Sequence, residues 1–182
     1  MDPLKIATND LFMTESESYC TFSVRGTNCG VPVARVREIV CDQPITPVPL
    51  AHEAVTGLIN LRGQILTVFD VRRWLRLEQP EGASAEHSSR FHLIVDLGRE
   101  IVSLSVDEMG PVLNPAPHEL EPIPANLDPE IAERITAAAR MPDSVVLLMD
   151  LERLRSLDGM AVGSSEFGHS EESGKAWRAG GY

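Results

Sequence analysis

The 182-residue sequence predicts a mainly β protein with short helices, folded as two small barrel-like lobes. Three observations carry the prediction. Short apolar or alternating segments are separated by glycine- and proline-rich turns rather than by long helices. A buried strand, a capping aspartate and a short arginine-bearing helix occur twice, as Phe69-Asp70-Val71-Arg72-Arg73-Trp74 and Met149-Asp150-Leu151-Glu152-Arg153-Leu154. A second echo precedes each copy in the same order: Val36-Arg37-Glu38-Ile39 and Val106-Asp107-Glu108-Met109, each placed after an alternating strand. Shared order points to two similar lobes from one duplication.

Residues 1–17 are polar and acidic without sustained periodicity, and read as a flexible leader. Tyr19 to Arg25 alternates as a half-buried strand does. Gly30-Val31-Pro32-Val33, with Val36, Ile39 and Val40 beyond, is a turn feeding a second extended segment. Pro44, Pro47 and Pro49 punctuate a loop, because proline cannot donate to a β ladder. Gly57–Leu61 is a short apolar strand, Arg62-Gly63 turns the chain, and Ile65–Phe69 returns as a continuous apolar strand. Asp70 then stands where its carboxylate accepts backbone N–H groups at the start of a helix. Residues 78–90 are a small-residue linker. Phe91–Asp96 and Ile101–Val106 form a hairpin around Leu97-Gly98-Arg99-Glu100. Six prolines between Pro111 and Pro129 make the next stretch mostly loop, and Ile131–Arg140 fits helix and strand equally. Val145–Met149 is a buried strand that Asp150 caps. These boundaries give a folded region at 18–157 and a disordered tail at 158–182, rich in Gly, Ser and Glu.

A formal net charge of −11 and a pI near 4.8 disfavour nucleic-acid and membrane-surface partners. The acidity serves solubility or attracts a basic partner. Acidic residues from Asp2 to Glu17 interrupt any apolar h-region, and the longest apolar runs are too short to span a bilayer. Cys20, Cys29 and Cys41 match no zinc or redox spacing and read as buried, reduced strand residues of a cytoplasmic protein.

A search for chemistry returns little. The five histidines show no HExxH or paired spacing and read as surface residues. No phosphate-binding glycine loop, nucleophile elbow or metal set is present, so neither cofactor nor metal is expected. Asp107 and Glu108 are neighbours that point to opposite faces of a strand. Asp70 and Asp150 are better explained as caps than as phosphoacceptors. What stands out is Arg62 in Asn60-Leu61-Arg62-Gly63: a solvated turn residue, or a charge that the tight turn presents beside an apolar edge. Val31, Val33, Val36 and Ile39, interleaved with Pro32, Arg35 and Glu38, leave apolar side chains for a face outside the core, as at protein-binding surfaces.

Over residues 18–157 the chain resembles the CheW-like domain family. The resemblance rests on Tyr19–Val24, Gly30–Ile39 (GVPVARVREI), Ile45–Pro49, and above all Gly57–Asp70 (GLINLRGQILTVFD). It implies two five-stranded SH3-like barrels packed together. It also implies a non-catalytic chemotaxis adaptor, recruited from the cytoplasm to membrane receptor arrays. Its partners would be a CheA-type histidine kinase and the hairpin tips of methyl-accepting receptors. By position in the motifs, Val33, Val36 and Ile39 would face the receptor, while Gly57, Asn60, Arg62 and Gly63 belong to the interaction surface. Glu38 and Arg62, expected on adjoining strands, would pair to fix the shape of the groove. Ile135-Thr136-Ala137-Ala138 departs from the family's apolar-x-Gly turn in the second lobe. Two alternatives stay open: the same adaptor serving surface motility or second-messenger control, and a small β-barrel enzyme or ligand-binding domain using the inter-lobe cleft.

Overall fold

The computed structural model describes residues 17–77, 91–141 and 144–154. The expected linker 78–90, the tail from 158 and the leader up to residue 16 lie outside the described residues. The first half of the chain supplies β1 (Tyr19–Val24), β2 (Thr27–Pro32), a 3-10 turn at Val33–Arg35, β3 (Val36–Cys41), β4 (Val55–Leu61), β5 (Gln64–Asp70) and α1 (Val71–Trp74). The second half supplies β6 (Phe91–Asp96), β7 (Ile101–Val106), β8 (Glu108–Leu113), β9 (Leu120–Glu121), α2 (Pro129–Ala132), β10 (Ile135–Arg140) and β11 (Val145–Met149).

These strands form two sheets, ordered β8-β1-β2-β11-β10-β9 and β3-β6-β7-β5-β4. Neither half folds on itself. The β1–β2 hairpin inserts between β8 and β11 of the second half, and the β6–β7 hairpin inserts between β3 and β5 of the first. The two insertions follow one pattern: an antiparallel pairing on one side (β1 with β8, β6 with β3) and a parallel pairing on the other (β2 with β11, β7 with β5). The lobes are therefore pseudo-equivalent but exchanged, each built from a hairpin of one half and the remaining strands of the other.

The exchange follows from what the strands must bury. The largest apolar cluster joins Phe22, Val24 and Val31 to Phe69, Trp74, Leu93 and Leu104, residues drawn from both sheets. Each lobe keeps a smaller cluster of its own, around Tyr19, Ala139, Val146 and Leu148 in one and Ile59, Leu66, Val68 and Ile94 in the other. Strand β6 has a core on both faces, with Leu93 in the shared cluster and Ile94 in the lobe's own.

The capping echo is real in three dimensions. Asp70 Oδ1 accepts the N–H of Arg72 at 2.9 Å and of Arg73 at 3.4 Å. Asp150 Oδ1 accepts the N–H of Glu152 at 2.9 Å and of Arg153 at 3.4 Å. Asp70 N donates to Ala54 O and Asp150 N to Arg134 O, so Ala54 and Arg134 are equivalent as well. The earlier echo is out of register by one turn of chain. Val36 pairs with Val95 where Met109 pairs with Phe22, so Val36 corresponds to Met109, and Val106 belongs to the end of the preceding strand.

Other expectations hold in part or are corrected. The proline-rich stretch is mostly loop as expected, although β8 runs into its start and tolerates Pro111 because it is the edge of its sheet, with a bulge in its pairing to β1. Ile131–Arg140 is neither one helix nor one strand: α2 ends before β10 begins. His92 is buried, not a surface residue, with Nδ1 3.0 Å from Ser103 Oγ. Cys20 and Cys29 are buried as expected, whereas Cys41 is exposed on edge strand β3. No described helix is long and apolar enough to cross a membrane.

Candidate protein-binding site

The β4–β5 turn is a two-residue hairpin loop with positive φ at both Arg62 (53°) and Gly63 (88°), the mirror-image turn whose twist matches the flanking strands. Asn60 Oδ1 accepts the Gly63 N–H at 2.8 Å and closes the bend. Asn60, Arg62 and Gly63 are all exposed, and so is Ile65, which faces Asn60 across the hairpin.

Arg62 reaches from this turn to Glu38, with Nη1–Oε1 at 3.0 Å and Nη2–Oε2 at 2.9 Å, a two-pronged pairing that fixes the guanidinium plane. The pair does not join adjoining strands. Glu38 is on β3 and Arg62 sits in the β4–β5 turn, and β3 and β4 are the two free edges of their sheet. The ion pair therefore bridges the open seam of the lobe. The same seam is stitched by Thr46, which bridges Leu58 with N–O distances of 2.8 Å in both directions. Here Gly57 finds its reason. A Cβ on Gly57 would overlap the Thr46 carbonyl oxygen and stand 2.8 Å from Ile45 Cγ2. Gly57 is buried, so it contributes closure of the seam and no side chain to the surface.

Val33, Val36 and Ile39 lie elsewhere. Ile39 and Glu38 are strand neighbours and point to opposite faces of β3. Glu38 shares the face of Ile94, toward the lobe's own core, and Ile39 shares the face of Leu93, toward the core between lobes. The bulge between Val36 and Glu38 puts Val36 on the Ile39 side, packed against that inter-lobe core. Val33 is 37% exposed and Ile39 44%, too bare for core residues, and they form an apolar rim. The expected site is thus two surfaces on either side of β3: the apolar side chains of Val33 and Ile39, and the bend of Asn60, Arg62 and Gly63, which is tied to β3 through Glu38.

The second lobe repeats half of this. Val112 and Val145 correspond by register to Ile39 and Ile65, and all four are exposed. Glu38 corresponds to Pro111 there, and that seam opens as a cavity of about 330 Å³ lined by Phe22, Asn28, Glu108, Met109, Met141 and Val146. Ile65, Val112 and Val145 were not legible as surface residues. Ile65 and Val145 lie in apolar strands that otherwise serve the core, and Val112 lies on an edge strand with no buried residue.

The described side chains of His92 and Cys29 are perturbed chiefly by burial. Burial lowers the pKa of His92 against an opposing pull from Asp42, and its near neighbour is a serine. Burial pushes the Cys29 thiol up to about 12, which makes it inert. Among the described residues no group of three or more His, Cys, Asp and Glu side chains could hold a metal.

Comparison with known proteins bears on the family and the fold. The family model described as CheW-like domain matches residues 18–158. A chemotaxis protein CheW of Klebsiella aerogenes is 24% identical over 149 residues, covering 82% of this chain and 87% of its own. The Bacillus subtilis protein of the same name is 28% identical over 135 residues, covering 74% and 83%. The crystal structure of the scaffolding protein TtCheW from Thermoanaerobacter tengcongensis superposes with a TM-score of 0.68 at 24% identity, over 81% of this chain and 97% of that one. This likeness supports the fold as two packed SH3-like β lobes.

Proposed function

The chain belongs to the CheW-like domain family, and from that premise we propose that it is a chemotaxis coupling adaptor holding a CheA-type histidine kinase against methyl-accepting receptors. The observation that carries the proposal is that two separate exposed surfaces lie on either side of β3, Val33 and Ile39 on one and the Asn60–Gly63 bend, tied to β3 through Glu38, on the other. An adaptor must hold two partners at once, and two separate surfaces can do so without competition. The apolar rim of Val33, Val36 and Ile39 suits the apolar surface of a receptor hairpin, where burial supplies affinity. The bend of Asn60, Arg62 and Gly63, braced by Glu38, suits the kinase's regulatory domain, where a fixed guanidinium gives direction to docking. The protein works by holding partners in register, not by chemistry on a substrate, and acts at the cytoplasmic face of the receptor array.

Pull-down of the full chain with a cognate kinase and with a receptor signalling fragment tests the division. Ile39→Asp is expected to lose the receptor and keep the kinase, and Arg62→Ala to lose the kinase and keep the receptor. If neither substitution changes either capture, the two-faced adaptor reading is wrong.

A further inference from the structure

On a chain of net charge −11, one cleft reverses the sign. About 200 Å³ in volume, it is lined by Arg73, Arg76, Arg134 and Arg153, with Glu53 and Glu133 as the carboxylates and His52 beside them. The cleft straddles the pseudo-two-fold relation of the halves. Arg73 and Arg153 occupy equivalent places after the two capping aspartates, and the backbone partners of those aspartates, Ala54 and Arg134, are equivalent too. Where the first half has Ala54, the second therefore adds a guanidinium.

Internal contacts engage part of this charge: Arg73 Nη1 donates to the Glu53 carbonyl oxygen at 3.4 Å, and Arg153 has partners of its own. Arg76 pairs with Glu130 and, at 3.7 Å, with Glu53. Arg73 Nε is 3.7 Å from Asp70, whose oxygens already serve Arg72 and two backbone N–H groups. Arg134 Nη1 is buried without a hydrogen-bond acceptor among the described residues. A buried guanidinium N–H lacking an acceptor is costly, and an oxygen anion in the cleft would relieve it. Arg73 and Arg76 remain more than half exposed, so the cleft is open to solutes.

We propose that this inter-lobe cleft binds a small doubly charged oxyanion, of the phosphate or short dicarboxylate class. Guanidiniums are the side chains best matched to such groups, through paired N–H donors. The donors set the class: several guanidiniums converge on one cleft of about 200 Å³, which is room enough for a phosphate or a short dicarboxylate. The site is independent of the adaptor surfaces beside β3, so the two readings stand or fall separately.

The test titrates the full chain with inorganic phosphate in one arm and succinate in the other, following arginine side-chain NMR signals. Saturable shifts at the cleft arginines are expected in at least one arm, and the arm that saturates identifies the ligand class. Arg134→Gln and Arg73→Gln should each weaken binding about tenfold, the loss of one charge-assisted hydrogen bond. Arg37→Gln, which removes an arginine outside the cleft, should change it little. Because Arg73 is exposed, its substitution leaves the fold intact and reports on the site even if Arg134→Gln unfolds the chain. No saturation in either arm, or equal weakening by Arg37→Gln, overturns the proposal.

Discussion

Substituting Arg62 by glycine separates the two jobs that this residue could have. Arg62 is 76% exposed and its partner Glu38 is 30% exposed, so their ion pair contributes only about 0.2–1 kcal/mol to stability. Against that, Arg62 sits at φ 53°, a left-handed conformation that costs a non-glycine residue roughly 1–2 kcal/mol. Glycine removes the strain but adds about 0.4–1 kcal/mol of chain entropy to the unfolded state. The three contributions nearly cancel, so Arg62→Gly should shift folding stability by no more than about 1 kcal/mol. Docking should respond quite differently. If the braced guanidinium is a central contact, its loss costs about 2 kcal/mol or more of affinity, roughly thirtyfold. Glu38→Gln on its own should cost part of that, and added to Arg62→Gly almost nothing more, because the two act as one unit. Urea denaturation gives the stability and calorimetric titration with the kinase regulatory domain gives the affinity. A variant that binds like the parent, or one that loses affinity only as far as it loses stability, refutes the reasoning.

Other consequences follow from the same geometry. Gly57→Ala forces a Cβ into the Thr46 carbonyl and should destabilise by about 1–3 kcal/mol, seen as a lower denaturation midpoint; an unchanged midpoint would mean that the seam is not held by close packing. The two capping aspartates should differ although their caps match. Asp70 also pairs with the largely buried Arg72, so Asp70→Ala should cost about 3–5 kcal/mol. Asp150→Ala removes a more open cap worth about 1 kcal/mol, and equal losses in the two would contradict the assignment. His92 has its pKa lowered from 6.5 by burial, so the unfolded chain takes up a proton that the folded one refuses. Stability due to this group is therefore complete above pH 6.5 and falls as pH drops through that value toward the lower folded pKa. His92→Gln should flatten the stability profile in that window, and an unchanged slope would show that another group titrates there.

The parts of this fold that are local in sequence are legible from it. The run Gly57–Asp70 contains a strand, an arginine-glycine turn, a second strand and a cap, each specified by residues within a few positions. The capping echo at Asp150 is legible for the same reason. Pairing across the halves is not. Nothing near Tyr19–Val24 says that this hairpin will sit between β8 and β11, because that choice is made by the shared apolar cluster and not by local pattern. The misaligned echo at Val106–Met109 arises because similar residues fall on either side of a strand boundary that periodicity does not mark. His92 escaped because its segment, Phe91–Asp96, is buried on both faces, leaving no alternation to reveal that a histidine lies inside. The candidate-site residues separate into two surfaces, and this separation is not legible because the facing of Val36 and Glu38 depends on the bulge between them.

The most direct measurement of the adaptor account is a side-chain solvent-accessibility map of the full chain, alone and with the kinase regulatory domain and a receptor signalling fragment added singly. Methyl NMR with a soluble paramagnetic probe reports Val33, Ile39 and Ile65 individually. The account predicts that the receptor fragment shields Val33 and Ile39 while Ile65 beside the Arg62 bend stays bare, and that the kinase domain does the reverse. Persistent exposure of all three methyl groups in both complexes, at saturating partner, would contradict it.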